Sequence, residues 1–136
     1  MATGTLVEFV EEMKRVLEKF RAQEGDYALA MLYNNYEGGD SDWTLIVSAP
    51  WLDSMPFGDG IRLFANAMGS DLSSEGKTRI SRVSVLDTAD DFVQAVNSAY
   101  QVSSPGSAVH VTSVALGGIQ IRWGIVFYSQ KLVAAA

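Results

Sequence analysis

Leu6, Phe9, Val10, Met13, Val16, Leu17 and Phe20 recur at intervals of three and four residues. That spacing sets them along one side of an α-helix. A lone helix of this length is marginal in water, so the stripe demands an apolar surface elsewhere in the chain. Thr5 stands where it can cap the helix, and Glu8, three residues on, where it can reach back. Glu11 with Arg15 and Lys14 with Glu18 form i,i+4 pairs on the opposite side, and Gly25 marks the stop. The stripe is too short to specify a heptad zipper, which leaves packing on the domain's own sheet.

Strand patterns supply that sheet. From Tyr27 to Asn34 large residues (Tyr27, Leu29, Met31, Tyr33) alternate with Ala28, Ala30 and Leu32. Trp43 to Ala49 repeats the pattern with Trp43, Leu45 and Val47 on one side, and the intervening NNYEGGDSD is turn chemistry, so the two read as an antiparallel hairpin. Ala108–Leu116 and Ile119–Gln130 flank Gly117-Gly118, a two-residue hairpin signal. In the last segment Ile119, Ile121, Trp123, Ile125 and Phe127 alternate strictly with other residues. Thr78–Leu86 is a further strand with imperfect alternation.

Two more amphipathic helices are predicted. Pro56–Leu72 places Phe57, Ile61, Phe64, Ala65, Met68 and Leu72 on one side, with Pro56 in the first turn and Ser54 as cap. Thr88 to about Val102 is capped by Asp87, with Asp90 and Asp91 near the positive end of its dipole. SSEGK (Ser73–Lys77) and SSPGS (Ser103–Ser107) read as loops. The predicted order is α-β-β-α-β-α-β-β: an α+β, two-layer sandwich with three helices on a mixed five-stranded sheet. Residues 1–136 read as one domain, with a tail from about 132 to 136 that frays. Helices sharing one side would leave a polar sheet face of Ala28, Ala30, Thr44, Ser48, Gln120, Arg122 and Tyr128.

Composition narrows the chemistry. The chain has no cysteine, which excludes disulfides, thiol nucleophiles and sulfur-ligated zinc. A reducing, cytoplasmic setting is the expectation. Acidic residues arrive too early in MATGTLVEFVEEMKR for a secretory leader, and no apolar run approaches the roughly 20 residues of a membrane helix. The net charge is −6, and residues 22–61 carry Glu24, Asp26, Glu37, Asp40, Asp42, Asp53 and Asp59 without one lysine or arginine. Such a field repels nucleic acid and anionic membranes and attracts cations or basic proteins. Solubility alone also accounts for it.

No catalytic constellation emerges. His110 is the only histidine and sits mid-strand among Val109, Val111 and Thr112, a structural position. No G-x-S-x-G elbow, P-loop or dinucleotide fingerprint is present; GDGIR around Asp59 lacks the lysine of one and the glycine spacing of the other. Asp40-Ser41-Asp42 with Glu37 resembles only the opening of a calcium loop and reads as a solvated turn. Lys77, Arg79 and Arg82, with Arg122, can hold a carboxylate or phosphate, or guard a sheet edge. No metal and no cofactor is predicted.

One segment stands out. SAPWLDSMPFGDGI, residues 48–61, combines two prolines and two glycines with Trp51, Leu52, Met55 and Phe57. The same residues serve two purposes. Turned inward, they close one end of the core. Turned outward, Trp51, Met55 and Phe57 are interface anchors and Asp53 and Asp59 a negative rim that selects a basic partner. The leading expectation is therefore a small acidic, non-enzymatic protein-interaction domain, binding a protein or a second copy of itself through Trp51, Asp53, Met55, Phe57 and Asp59 or through the open sheet face. The alternative is a small-molecule-binding domain or enzyme whose site lies at the 50–62 loop and helix entrance, where Gly58 and Gly60 let backbone N–H groups approach an anion, with Arg62 or Arg79 assisting.

Overall fold

The structure is a computed structural model that describes residues 6–34, 42–56, 58–103 and 108–132. Strands β1 (Leu29–Asn34), β2 (Trp43–Ser48), β3 (Ile80–Val85), β4 (Val109–Leu116) and β5 (Ile119–Ser129) form one sheet in the order β3-β2-β1-β5-β4. Around it lie α1 (Leu6–Glu24), α2 (Pro50–Asp53), α3 (Asp59–Asp71), α4 (Ser74–Arg79) and α5 (Asp91–Ala99). β2 and β3 are parallel, and the other neighbours are antiparallel. The α+β class and the mixed five-stranded sheet read from the sequence are the ones formed.

The first hairpin pairs Leu29 with Ser48 and Tyr33 with Thr44. The last turns at Gly117 (φ 55°) and Gly118 (φ 81°), where positive φ at both central positions matches the strand twist. The first helical stripe is buried as expected: Phe9, Met13, Val16, Leu17 and Phe20 lose nearly all contact with water. Each such side chain contributes roughly 1.5–3 kcal/mol of transfer free energy. The surface pairs differ from the i,i+4 pattern, since Lys14 meets Glu11 at 2.9 Å and Arg21 meets Glu18 at 2.6 Å.

Helices cover both faces of the sheet rather than one. On one face α1, α2 and α3 pack over Ala30, Leu32, Leu45, Val47, Ile125 and Phe127. On the other, Phe92, Val93 and Val96 of α5 pack over Leu29, Met31, Ile46, Val111 and Val126. α5 is also pinned by polar contacts. The buried Asn97 amide donates to the Ala28 carbonyl at 2.9 Å and to Ser129 Oγ at 3.0 Å, and Ser129 Oγ donates to the Tyr100 carbonyl at 2.9 Å.

The polar sheet face inferred from strict alternation consequently does not form. Ala28 joins the α5 cluster, whereas Ala30 and Tyr128 join the α1 cluster. Thr44 and Ser48 are buried, and only Gln120 and Arg122 are exposed. Two backbone features explain this. The β1–β5 ladder shifts between Ala30 and Met31, passing over Phe127. In β4, Ser113 takes φ 52°, and the residues facing α5 step from Val109 and Val111 to Val114 and Leu116. Across the ladder Ile121 faces α5 while Trp123, Ile125 and Phe127 face the other side. Because side chains alternate with a period of two, a single slipped residue exchanges faces.

Two short helices occupy segments read as loop. Pro50 opens α2 as its first residue, a position where the missing N–H costs nothing. SSEGK belongs to α4: Ser73 Oγ accepts from the Gly76 N–H at 3.1 Å, and Ser73 is itself held by Glu12 of α1 through its N–H (3.0 Å) and hydroxyl (3.1 Å). α3 starts at Asp59, so Pro56 precedes it, and α5 is capped by Asp90, which accepts from the Phe92 N–H at 2.8 Å. Asp87 instead accepts from Ala89 N–H at 2.8 Å, closing the turn before the cap. The Thr5 cap, most of the NNYEGGDSD turn, residues 104–107 and the tail from 133 lie outside the described residues.

Candidate functional site

β2 and β3 run side by side in the same direction, but the chain leaves them for opposite faces. After Ser48 it turns to α2 and α3; after Val85 it turns to α5. Divergence of this kind opens a crevice at the carboxyl ends of parallel strands, the place where open sheets bind ligands. Here the crevice measures about 290 Å³ and is walled by Leu52, Met55, Pro56, Ile61, Val85 and Leu86, with Asp53 and Asp87 as its ionisable groups. Among the described residues no lysine or arginine lines it.

Local chemistry shapes this site. Gly58 adopts φ 88° immediately before α3, a conformation that favours glycine. Gly60 lies under Leu52 and Val85, where a Cβ would stand 3.1 and 3.3 Å from their methyl groups, so the first turn of α3 approaches the end of β3 closely. The two walls are tied by Asp53, whose carboxylate accepts from the Thr88 hydroxyl at 2.6 Å and from the Thr88 N–H at 3.2 Å. A carboxylate offers about four lone-pair sites, so two remain for a donor entering the crevice.

The sequence candidates separate. Asp53 and Met55 line the crevice. Trp51 faces the core: its indole N–H donates to the Gly25 carbonyl at 3.1 Å, and its ring lies 5.7 Å from Tyr27 and 6.3 Å from Phe64, stacked on the latter. Asp59 is exposed on α3 and pairs with Arg62 at 2.9 Å. Phe57 lies outside the described residues. The partners supplied by β3's end, Val85, Leu86 and Asp87, were not anticipated as site residues; Asp87 carried only a capping signal.

Other ionisable groups do different work. Tyr128 donates its hydroxyl to Glu18 at 2.6 Å while Arg21 grips the same carboxylate at 2.6 and 2.8 Å. Arg21 first, and Tyr128 second, hold Glu18 down at about 2. Burial pushes the Tyr27 and Tyr128 hydroxyls well above the usual tyrosine range, with the bond to Glu18 adding to the effect at Tyr128. This cluster fastens α1 to β5, and none of its residues lines the crevice. His110 is exposed on β4. Among the described residues no group of histidines and carboxylates is placed to hold a metal, and Asp42 accepts from Ser81 Oγ at 3.0 Å; Glu37, Asp40 and Ser41 lie outside the described residues.

The arrangement defines an α+β protein with a short parallel β-α-β unit and an acidic crevice at its carboxyl end. Comparison with family models, with curated proteins and with solved structures found no match to this chain. Among the described residues no helix is long and apolar enough to cross a membrane.

Proposed function

We propose that this chain is a non-enzymatic protein-interaction domain that receives a basic side chain of its partner in the crevice between α2, α3 and the end of β3. One observation carries the reading: two carboxylates, Asp53 and Asp87, stand over apolar walls, and no lysine or arginine is among the described residues that line the space. At about 290 Å³ the crevice has room for one long side chain. A lysine or arginine stem lies along Leu52, Met55 and Ile61, while its head meets the carboxylates. The acidic stretch from Glu24 to Asp59 steers such a partner. Trp51 supports the site from behind by fixing α2 on the core.

A second reading is favoured by the crevice's place at the ends of parallel strands: a small cationic or polar ligand bound without a protein partner. The two are separated by titrating the chain with Nα-acetyl-lysine amide, Nα-acetyl-arginine amide and the norleucine analogue, read by amide chemical shifts. A thermal-shift panel of metals, nucleotides and organic acids runs beside it. Shifts with both basic amides at residues 52–61 and 85–88, none with norleucine, and a flat panel support the interaction domain. A saturable rise with one class of the panel favours the small ligand.

A further inference from the structure

On the other flank of α3, between that helix, α4 and the edge strand β3, lies a second and larger cleft of about 450 Å³. Its character is the reverse of the first. The floor is apolar, formed by Ile61, Ala65, Met68, Ile80 and Val83, and the exposed cations Lys77 and Arg82 are among the lining residues. Ile61 is 40% exposed, unusual for a large aliphatic residue on this chain. Neither Lys77 nor Arg82 makes an ion pair among the described residues, although Lys19, Arg21 and Arg62 are each matched to a carboxylate. Above the floor the space is open: a Cβ added at Gly69 would meet nothing within 4 Å.

We propose that this cleft binds an anionic amphiphile, a small carboxylate or phosphate carrying a medium-length aliphatic tail. Edge-strand cations alone guard against strand pairing. That role needs neither an apolar floor nor a cleft beneath the charges. Together they match a ligand with one charged end and one greasy end: the tail covers Met68, Ile80 and Val83 and the head meets Lys77 and Arg82. A chain of net charge −6 repels anions at long range, so local capture by two cations is the distinguishing mark. The site is independent of the acidic crevice, with which it shares only Ile61.

The test uses the full chain with three probes below their micelle concentrations: decanoate, decanol and decyltrimethylammonium. Decyl phosphate, run against inorganic phosphate, separates a need for the tail from simple anion capture. Decanoate and decyl phosphate are expected to bind saturably at residues 61–69 and 77–83, read by amide shifts, with decanol and the cation at least about tenfold weaker. Lys77→Gln with Arg82→Gln, both on exposed residues, lowers decanoate affinity by about tenfold or more. Gly69→Leu fills the cleft from a helical position with free space and abolishes decanoate binding while circular dichroism stays native; Gly69→Ala binds as the parent does. Equal response to all three headgroups, inorganic phosphate as effective as decyl phosphate, or undiminished binding by the folded Gly69→Leu chain overturns the proposal.

Discussion

Trp51 donates its indole N–H to the carbonyl oxygen of Gly25 at 3.1 Å, joining α2 to the end of α1 across 26 residues of sequence. The bond turns the most anchor-like residue of the acidic segment into a core closure, packed beside Phe20, Tyr27 and Phe64. Trp51→Phe keeps most of the ring but strands the Gly25 carbonyl, costing about 1 kcal/mol in urea unfolding. Trp51→Ala removes the half-buried ring as well and costs roughly 2–4 kcal/mol. A surface anchor would show neither loss.

Ser48 is buried in β2, and its hydroxyl has no hydrogen-bond partner among the described residues. Replacing an orphaned buried polar group by an apolar one removes a desolvation penalty. Ser48→Ala is therefore expected to raise stability by up to about 1 kcal/mol, measured by chemical denaturation, against the usual destabilising direction of core substitutions.

Acid stability carries the mark of Glu18. Its folded pKa is depressed from 4.5 to about 2 by Arg21 and Tyr128. A depressed carboxyl stabilises the fold above its unfolded pKa and loses that contribution as pH falls through the folded value. The chain thus loses stability between pH 4.5 and about 2, and Glu18→Gln, already without the contribution, shows a flatter acid limb and converges with the parent at the low end. The tyrosines act at the other end of the scale. Their raised pKa values keep stability intact below the ordinary 10.0 and withdraw it as pH climbs beyond, so absorbance titration should show Tyr27 and Tyr128 ionising only with unfolding.

The last hairpin gives a sharp contrast between adjacent glycines. At Gly117 (φ 55°) an added Cβ would sit 2.8 Å from the Phe92 backbone, whereas at Gly118 (φ 81°) it would meet nothing within 4 Å. Gly118→Ala bears only the left-handed penalty of about 1–2 kcal/mol. Gly117→Ala adds to that penalty the displacement of α5's first turn, about 1–3 kcal/mol beyond the Gly118→Ala loss, with Phe92 resonances shifted.

These elements also show where the sequence was legible. Alternation and Gly-Gly punctuation placed both hairpins, and three-four spacing placed α1, because each signal is local. SSEGK was not legible as helix: its letters favour loop, and Glu12, which holds the capping Ser73 by its N–H and hydroxyl, arrives from α1, 61 residues away in sequence. The faces of β5 were misassigned because the backbone at Ser113 and at Phe127 breaks the strict alternation, an event that side-chain polarity does not announce. In the acidic crevice Asp53 and Met55 were legible from composition. Asp87 was not, since it reaches the site only through the parallel pairing of β2 with β3.

The central claim is that the Asp53–Asp87 crevice recognises a basic side chain, and its most direct test is the amide-shift titration with Nα-acetyl-lysine amide on the parent and on Asp53→Asn with Asp87→Asn. The account predicts saturable shifts confined to residues 52–61 and 85–88 in the parent, weakened at least about tenfold in the double variant and by added salt. Shifts of the same size with the norleucine analogue, or an unchanged affinity in a folded double variant, contradict it.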